Sequence, residues 1–357
     1  MSVIIVTGAG GLIGAEAVRR FAKAGHTVVG VDNDMRAYFF GNSASTKWSV
    51  ARLQAEIPAY RHYSVDIRDS EVIHRLFAEY NSDISGVVHA ASQPSHDWAA
   101  REPYADFAVN AVGTLNLLEA TRHNSPNAVF MFLSTNKVYG DAPNLLPLRE
   151  KDERFECLPG HPYSEFGIDE TMSIDQTKHS LFGVSKASAD LMVQEYGRYF
   201  GIKSACFRGG CLTGPGHAAV ELHGFLSYLM SCTVAGRSYI VYGYKGKQVR
   251  DNIHSYDLVE ALYEFYSEPR VAAVYNIGGG ISSNCSMLEA ITACEKRAGK
   301  RLNWTYNDRH RSGDHIWWIS DTRRFQADYP QWRLRYSLHD IFDELYKDVC
   351  ERKRCVD

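Results

Sequence analysis

A lysine and a phenylalanine four residues apart raise the main chemical question in this sequence. Lys186 lies on a predicted helix in the segment Phe182-Gly-Val-Ser-Lys186. Residues at positions i and i+4 share one helix face, so these two side chains are neighbours. A phenol at position 182 could exchange a proton with a substrate hydroxyl, but a phenylalanine ring cannot. The question is therefore which group, if any, exchanges protons beside Lys186.

A glycine-rich turn follows the first predicted strand and precedes the first predicted helix. Gly8 permits a tight turn, Gly11 lets the backbone approach a pyrophosphate, and Gly14 permits close packing of helix and strand. The helix that follows would begin near Leu12 and Ile13, and its N-terminus would face the phosphate charge. The pattern predicts a dinucleotide-binding turn.

Polar side chains after the second and third predicted strands could meet the adenosine half of such a cofactor. Asp32 ends the second strand, 18 residues after the last of these glycines. A carboxylate there can bind both ribose hydroxyls and would repel a 2′-phosphate, which favours NAD over NADP. Arg36 keeps NADP as the alternative. We include Asn33 among the cofactor-binding residues, together with Asp66 and Ile67, which follow the third strand where an adenine would lie.

The alternation of short apolar strands and helical stretches predicts the fold. The predicted strands are 3–7, 26–32, 61–66, 86–91, 128–134 and 204–209, and the predicted helices are 15–24, 106–123 and 186–199. This order is typical of an α/β fold with a doubly wound parallel sheet. We expect a sheet domain over 1–210, to which part of the chain after 245 returns, and a smaller C-terminal substrate-binding lobe over 211–357. The long polar connection 143–178 is typical of a functional loop.

Composition excludes several classes of function. The chain has 357 residues, of which 45% are hydrophobic and 23% charged, with a net charge of −3. This balance gives no electrostatic case for a nucleic-acid or anionic-membrane partner, and no apolar run could span a bilayer. Eight cysteines without a C-x-x-C pair, and no signal sequence, predict a soluble cytoplasmic protein with reduced thiols. No histidine cluster has zinc spacing, so we expect no metal site.

Further motifs add a family resemblance. Ala90 and Ala91 end strand four, Asn110 begins Asn-Ala-Val-Gly-Thr in the next helix, and Ser134-Thr-Asn-Lys-Val-Tyr-Gly-Asp141 follows strand five. With the lysine above, these motifs resemble the extended short-chain dehydrogenase/reductase family of NAD-dependent nucleotide-sugar epimerases and dehydratases. Within that family the likeness is nearest to the CDP-tyvelose (CDP-paratose) 2-epimerases, also through segments 246–251 and 276–279. The resemblance covers nearly the whole chain. It implies a Rossmann domain with bound NAD, which takes a hydride from a sugar carbon and returns it to the other face.

The resemblance also implies a role for each matching residue. Thr135 and Lys186 would be catalytic, with Tyr139 and His179 as further catalytic candidates. The cofactor site would gain Ala90, Ala91, Asn110 and Lys186. A CDP-, GDP- or UDP-linked sugar would be held by Ser134, Thr135, Asn136, Arg208, Arg250, Arg311 and Asp314, in which guanidinium groups fit diphosphate oxygens. A homo-oligomer would pack through helices near 105–125 and 186–200.

Two departures from the family pattern narrow the reaction. Asn136-Lys137 replaces the acidic pair that family dehydratases carry, so loss of water is disfavoured. Phe182 replaces the tyrosine of the family's Tyr-x-x-x-Lys motif, which leaves three interpretations. Another group exchanges the proton; the enzyme is a non-redox isomerase or a pyranose/furanose mutase; or the protein is a silent sugar-nucleotide-binding paralogue. We favour the first, and the candidate groups are Tyr139, Tyr163, Glu165, Asp169, Glu170, Asp175 and His179.

Overall fold

The computed structural model describes residues 2–221, 223–310 and 313–354, so the predicted substrate residue Arg311 lies outside the described residues. The strands are β1 (Val3–Thr7), β2 (Thr27–Val31), β3 (Tyr60–Tyr63), β4 (Ile84–His89), β5 (Val129–Thr135), β6 (Leu148–Glu150), β7 (Phe155–Cys157), β8 (Ser204–Gly209), β9 (Cys211–Thr213), β10 (Tyr239–Tyr242), β11 (Val249–His254), β12 (Ala273–Ile277), β13 (Asn284–Ser286), β14 (Trp304–Asn307) and β15 (Trp317–Trp318). The helices are α1 (Leu12–Lys23), α2 (Met35–Phe40), α3 (Lys47–Glu56), α4 (Ser70–Tyr80), α5 (His96–Arg101), α6 (Pro103–Phe107), α7 (Gly113–Asn124), α8 (Tyr163–Phe166), α9 (Leu181–Phe200), α10 (Phe225–Ala235), α11 (Ser255–Ser267), α12 (Met287–Ala298), α13 (Arg323–Asp328) and α14 (Leu338–Arg354). Within the described part of the chain, no helix combines the length and the apolar character that crossing a membrane requires.

A seven-stranded sheet in the order β12-β8-β5-β4-β1-β2-β3 forms the framework of the larger unit. The pairs β1–β2, β2–β3, β1–β4 and β4–β5 are parallel. The chain moves outward from β1 to β3 and then returns to β4 on the other side of β1. This reversal is a topological switch point, where ligands of doubly wound sheets bind at the carboxyl ends of the strands. The predicted doubly wound parallel sheet is confirmed.

Burial explains why these segments form strands. Ile4, Ile5 and Val6 of β1 are fully buried, as are Phe130 and Phe132 of β5. Strands that are covered by helices on both faces read as continuous apolar runs, which is the pattern that the sequence shows. The predicted strands agree with the observed ones to within a few residues at each end.

The predicted helix 106–123 is interrupted in the structure. The α6 helix ends at Phe107, a π-helical turn covers Ala108–Val112, and α7 begins at Gly113. The wider π turn contains Asn110, whose side chain is buried in a polar network. Such π turns occur frequently at functional sites, and apolar periodicity alone does not reveal them.

The chain forms two compact units, and their bounds differ from the predicted domains. The first unit comprises 1–138, 180–208 and 258–275, and the second comprises 139–179, 209–257 and 276–357. Segment 139–179 joins the second unit because its backbone is hydrogen-bonded there. Phe155 donates its N–H to Lys247 O at 2.9 Å, and Ile168 donates to Ile319 O at 2.7 Å.

The second unit has its own sheets and its own apolar core. β9, β11, β13 and β15 form a four-stranded sheet, β10 pairs with β14 in parallel, and β6 and β7 form an antiparallel hairpin. Helices α10, α12 and α14 contribute buried side chains to the core, among them Leu229, Met230, Ile291, Phe342 and Leu345.

Candidate active site

The glycine turn between β1 and α1 requires glycine at two positions. Gly8 has φ of +68°, and a Cβ there would lie 2.8 Å from the backbone nitrogen of Ala91. A Cβ on Gly14 would lie 2.0 Å from the carbonyl oxygen of Gly8, which no side chain can tolerate. Gly8 also donates its N–H to Val31 O at 2.8 Å. The turn is therefore compact and is hydrogen-bonded to the carboxyl end of β2.

The start of α1 fits an anionic ligand. Gly11 occupies the N-cap position, where no side chain caps the helix, and the first turn carries no acidic residue. The N–H groups at this end, from Leu12 and Ile13 onward, carry the positive end of the helix dipole. A Cβ on Gly11 would meet only Gly8 O, at 3.2 Å, so the absent side chain leaves the backbone open to close approach. Donor chemistry and shape thus fit a dinucleotide pyrophosphate.

Substitutions at these glycines should separate folding from binding. Gly14→Ala is expected to destabilise the fold by about 3 kcal/mol or more, because the new methyl group overlaps backbone that cannot move aside. Gly11→Ala is the matched variant, and it should retain the fold while binding NAD about tenfold more weakly or worse. Thermal unfolding without ligand and calorimetric titration with NAD measure the two effects. A Gly14→Ala protein with wild-type stability would contradict the packing described here.

The residues predicted for the adenosine half of the cofactor lie together. The carboxylate of Asp32 accepts hydrogen bonds from the N–H of Gly10 at 2.9 Å and of Asp34 at 2.8 Å. Asn33 Nδ2 donates to Asp66 Oδ2 at 3.1 Å. Ile67 is buried.

A cavity beside these residues is lined by Asn33, Met35, Tyr38, Arg68 and Ala105. The sequence did not indicate Tyr38 or Arg68, which are brought there by α2 and by the turn after β3. Arg36, the residue that kept NADP as an alternative, is partly buried, and burial lowers its pKa to about 10.

Lys186 is buried at the carboxyl end of β5. Its ammonium group donates to Leu133 O at 2.8 Å and lies 4.1 Å from the ring centroid of Phe132. Only 3% of the residue is exposed, and burial lowers its pKa to about 8. Asp190 and Asp106 act in the opposite direction, since nearby carboxylates favour the charged ammonium.

A buried polar network surrounds Asn110. Its Nδ2 donates to Gln93 O, Asp106 Oδ1 and Ser185 Oγ at 3.0–3.1 Å, and its Oδ1 accepts the N–H of Gln93 at 2.9 Å. Ser185 directly precedes Lys186 on α9, so the network links the π turn to the helix that carries the lysine. Burial raises the pKa of Asp106. The structure therefore fixes the loop after β4 relative to α9.

A neutral histidine connects this network to the glycine turn. Thr114 Oγ1 donates to Asn110 O at 2.6 Å, so it accepts from His89 Nε2 at 2.9 Å. Nδ1 of His89 then accepts from the hydroxyl of Thr7 at 2.7 Å. The ring is fully buried, and burial holds its pKa well below the usual value. Ala90 and Ala91 follow His89 and donate their N–H groups to Thr7 O and Thr7 Oγ1, each at 3.2 Å.

Two residues predicted to bind substrate lie in a buried ionic cluster instead of an open pocket. Arg208 donates through Nε and Nη2 to the two carboxylate oxygens of Asp190, at 3.1 and 2.8 Å. The hydroxyl of Ser134 also donates to Asp190. Arg208 is 5% and Asp190 1% exposed. A substrate role for Ser134 and Arg208 stays a prediction, and these contacts favour a structural role.

Thr135 and Asn136 lie at the end of β5. Thr135 Oγ1 accepts the N–H of Lys137 at 3.3 Å and lies 3.4 Å from Asn136 Oδ1. Thr135 is partly exposed, whereas Asn136 is buried. Thr135 thus lies two residues beyond the carbonyl that holds the lysine, which agrees with a site at the end of this strand.

The other predicted catalytic candidates belong to the second unit. Tyr139 is fully buried, donates its hydroxyl to Asn276 Oδ1 at 2.9 Å and stacks on Trp318. His179 is partly buried, with Nδ1 3.1 Å from Thr177 O. Glu170 accepts the N–H of Asn276, and burial raises its pKa. Catalytic roles for Tyr139 and His179 stay predictions.

A histidine that the sequence did not suggest contacts Phe182. The ring of His96, the first residue of α5, meets Phe182 edge to face, with centroids 5.0 Å apart and planes at 75°. Its Nδ1 lies 2.7 Å from the hydroxyl oxygen of Ser180, which caps α9. One signal was available, since His96 follows the carboxyl end of β4 in a polar stretch. The partner 84 residues away could not be read from the sequence.

The predicted diphosphate residues of the second unit are close together. Arg250 Nη2 lies 3.9 Å from Asp314 Oδ1, and both side chains are partly exposed. Next to Arg250 on β11, Asp251 is fully buried, and burial raises its pKa to about 6. Asp251 accepts the N–H groups of Ser320 at 3.0 Å and Gly280 at 3.2 Å, so it holds the turn after β12. Asp251 therefore anchors the backbone here, while Arg250 presents a partly exposed cation on the same strand.

Comparisons with known proteins agree with this geometry. A family model described as the NAD dependent epimerase/dehydratase family matches residues 4–278. CDP-paratose 2-epimerase of Salmonella typhi is 28% identical over 352 residues, covering 96% of this chain and 98% of that protein. UDP-glucose 4-epimerase of Drosophila melanogaster is 31% identical over 324 residues, covering 87% and 86%. Among solved structures, UDP-glucose 4-epimerase of Thermus thermophilus in complex with NAD is similar in fold, with a TM-score of 0.77 and 23% identity, covering 98% of this chain and 99% of that one.

Proposed function

The chain belongs to the NAD dependent epimerase/dehydratase family, and from that membership we propose that it is a nucleotide-sugar epimerase. It would invert one sugar carbon by transient oxidation to a keto-sugar and re-reduction. The observation that carries the proposal is the buried ammonium group of Lys186, held by Leu133 O two residues before Thr135. A buried cation bonded to the strand two residues before a partly exposed hydroxyl suits the binding of a ribose and a sugar.

The chain's own residues supply binding and orientation for this reaction. NAD, when bound, supplies a reversible hydride acceptor. Gly8, Gly11 and Gly14 would admit its pyrophosphate, and Asp32 would bind its adenosine ribose. Lys186 would bind the nicotinamide ribose, and Thr135 would donate to or accept from a sugar hydroxyl. The fit of the glycine turn and the uncapped start of α1 supports these assignments.

We propose a CDP-linked sugar as the substrate, with CDP-paratose and CDP-tyvelose as the first to test. Similarity to CDP-paratose 2-epimerase along almost the full length of both chains supports this choice. In the second unit Arg250 would pair with the diphosphate, and Asp314, 3.9 Å away, would orient the guanidinium or bind the ribose. Arg311, predicted as a second clamp, lies outside the described residues, and its role stays a prediction.

Two measurements on purified protein test the function. Released dinucleotide should amount to about one NAD per chain, as expected of a tightly held cofactor. CDP-paratose deuterated at carbon 2 should turn over more slowly than the unlabelled sugar, because the C–H bond at that carbon breaks. Turnover without an isotope effect would indicate the non-redox isomerase or mutase. Thermal stabilisation by nucleotide sugars without turnover would indicate a protein that binds the sugar nucleotide but is catalytically silent. The phenylalanine at position 182, which has no phenol group, favours this alternative.

We also propose a homo-oligomer. Exposed apolar side chains on α6, the π turn and α9 support it, namely Tyr104, Phe107, Val112, Leu181, Val184, Leu191, Tyr199 and Phe200. Apolar faces of this kind commonly form interfaces between subunits. A cytoplasmic location stays a prediction from the sequence.

A further inference from the structure

We propose that His96 exchanges the sugar hydroxyl proton in this protein, in the position that a tyrosine phenol at residue 182 would otherwise take. The inference rests on the proposed function and deepens it by naming the group that performs the acid–base step. The imidazole of His96 lies against the ring of Phe182, which is the side chain that lacks the hydroxyl.

The positions of the His96 and Phe182 rings favour a histidine that performs the acid–base step of the missing phenol. Phe182 and Lys186 share one face of α9, a turn apart, and Lys186 is fixed to the end of β5. His96 approaches the same helix from the loop after β4, the strand that pairs with β5. The imidazole therefore contacts the helix that carries Lys186, and it does so from the segment that follows the carboxyl end of β4. Imidazole exchanges protons near neutral pH, which suits an acid–base group.

The hydrogen bond to Ser180 orients the ring and is compatible with the tautomer in which Nε2 is basic. Ser180 Oγ already accepts the N–H of Gly183 at 3.1 Å, and its second lone pair can accept a hydrogen bond from a protonated His96 Nδ1 at 2.7 Å. In that tautomer Nε2 carries the lone pair and is the nitrogen that takes up a proton. A hydroxyl that orients the ring through one nitrogen, so that the other is basic, is the arrangement that general-base histidines require.

Buried hydrogen bonds hold the segment that precedes His96. Gln93 Oε1 accepts the N–H of Ser95 at 2.6 Å, and Gln93 Nε2 donates to Ser95 O at 2.8 Å and to Asp106 Oδ1 at 2.7 Å. Asn110 binds the backbone of Gln93 at both N–H and C=O. These buried bonds fix the residues just before the imidazole. A ring held in this way needs little rearrangement during proton transfer.

The step balances without a further reactant. In the oxidation, the sugar O–H bond breaks and its proton passes to Nε2 of His96, while the carbon-bound hydrogen leaves as hydride to the nicotinamide cofactor and the C=O bond forms. The sugar carbon loses the two electrons that the cofactor gains. In the return step, hydride adds to the opposite face of the carbonyl and the imidazolium returns its proton to the oxygen.

A double-mutant cycle tests the proposal, with CDP-paratose as the probe. His96→Asn retains a donor for Ser180 but cannot accept a proton, so kcat should fall by about 10²- to 10⁴-fold with little change in KM. In a Phe182→Tyr protein, the phenol should take over the proton exchange. His96→Asn should then lower kcat by less than about tenfold. His74→Asn, on the distant helix α4, is the control for loss of a histidine and should leave kcat unchanged.

A second readout does not depend on turnover. In protein labelled with ¹⁵N-histidine, the ring signals that are absent from His96→Asn should shift when CDP-paratose is added, whereas those of His74 should not. NAD content and the thermal midpoint of His96→Asn should match the wild type. Wild-type turnover in His96→Asn, equal losses in both backgrounds, or no shift of the His96 signals would overturn the inference. A wild-type protein that lacks NAD and turns over no nucleotide sugar would instead contradict the proposed function.

Discussion

Replacement of Lys186 by methionine is expected to lower kcat by about 100-fold or more while leaving the protein folded. The ammonium is a charged donor that the structure holds against the end of β5, and loss of a positioned donor of this kind typically costs that much. Methionine matches the length of the side chain and can pack on the ring of Phe132, which now lies 4.1 Å from the ammonium. Steady-state kinetics with CDP-paratose measures the loss.

The same substitution should raise stability in a pH-dependent way. Burial lowers the pKa of Lys186 from 10.5 to about 8, so the folded chain releases this proton more readily than the unfolded chain. Below pH 8 the lysine is charged in both states and the cost of burying it is complete. Between pH 8 and 10.5 the unfolded chain alone retains the proton, so wild-type stability rises with pH. A shift of this size corresponds to roughly 3 kcal/mol, less about 1 kcal/mol for the lost bond to Leu133 O.

The free energies of unfolding of Lys186→Met and the wild type should therefore differ in a predictable direction. Lys186→Met should be more stable than the wild type by about 2 kcal/mol below pH 8. The advantage should shrink as the pH rises from 8 towards 10.5, reach zero within that interval, and then change sign by about 1 kcal/mol, which is the lost bond to Leu133 O. Wild-type kcat should fall as the pH rises through about 8, because the ammonium is lost. Lys23→Met, at an exposed position of α1, is the control and should change neither quantity. A Lys186→Met protein with wild-type kcat would contradict the assigned role of the cation.

Local sequence patterns predicted the framework well because their causes are local. The buried runs of β1 and β5 alternate with amphipathic helices, and a glycine with positive φ follows β1. Each of these features needs only neighbouring residues to be recognised. The doubly wound sheet and the chemistry of the turn at Gly8–Gly14 followed from them directly.

Features that depend on distant partners could not be predicted. The π turn at Asn110 exists in a buried network that joins three segments of the chain, and helical periodicity carries no sign of it. His96 gains its interest only from Ser180 and Phe182, more than 80 residues away. Segment 139–179 was expected in the sheet domain, because strand five precedes it, but its hydrogen bonds are made in the second unit.

Arg208 shows the same limit for a single side chain. Arg208 was predicted to bind substrate because it lies at the end of a central strand, where the family resemblance places the sugar pocket. Its partner, Asp190, lies 18 residues earlier on a helix and accepts hydrogen bonds from the Nε and Nη2 edge of the guanidinium. No pattern in the sequence distinguishes a buried arginine with a carboxylate partner from an exposed one.

The ion pair of Arg208 and Asp190 gives the largest expected effect on stability. Asp190→Ala would leave the guanidinium buried without its carboxylate and would remove the acceptor of Ser134, and we expect a loss of about 3–5 kcal/mol. Replacing both partners at once, with Asp190→Leu and Arg208→Met, should recover most of that loss, because the guanidinium charge is removed together with its carboxylate and Asp106 still favours the charged form of Lys186. Urea unfolding of the three proteins measures these free energies. Glu56→Ala, which breaks the exposed pair of Arg52 and Glu56 on α3, is the control and should cost no more than about 0.5 kcal/mol.

The folded double variant also separates the two roles considered for Arg208. If the guanidinium serves only the ion pair, the variant should bind CDP-paratose with wild-type affinity, because neither partner would contact the sugar nucleotide. A weakening of about tenfold or more in a stably folded double variant would instead support the predicted substrate contact of Arg208. A double variant as unstable as Asp190→Ala would show that the other contacts of Asp190, with Ser134 and the Lys186 ammonium, account for the loss.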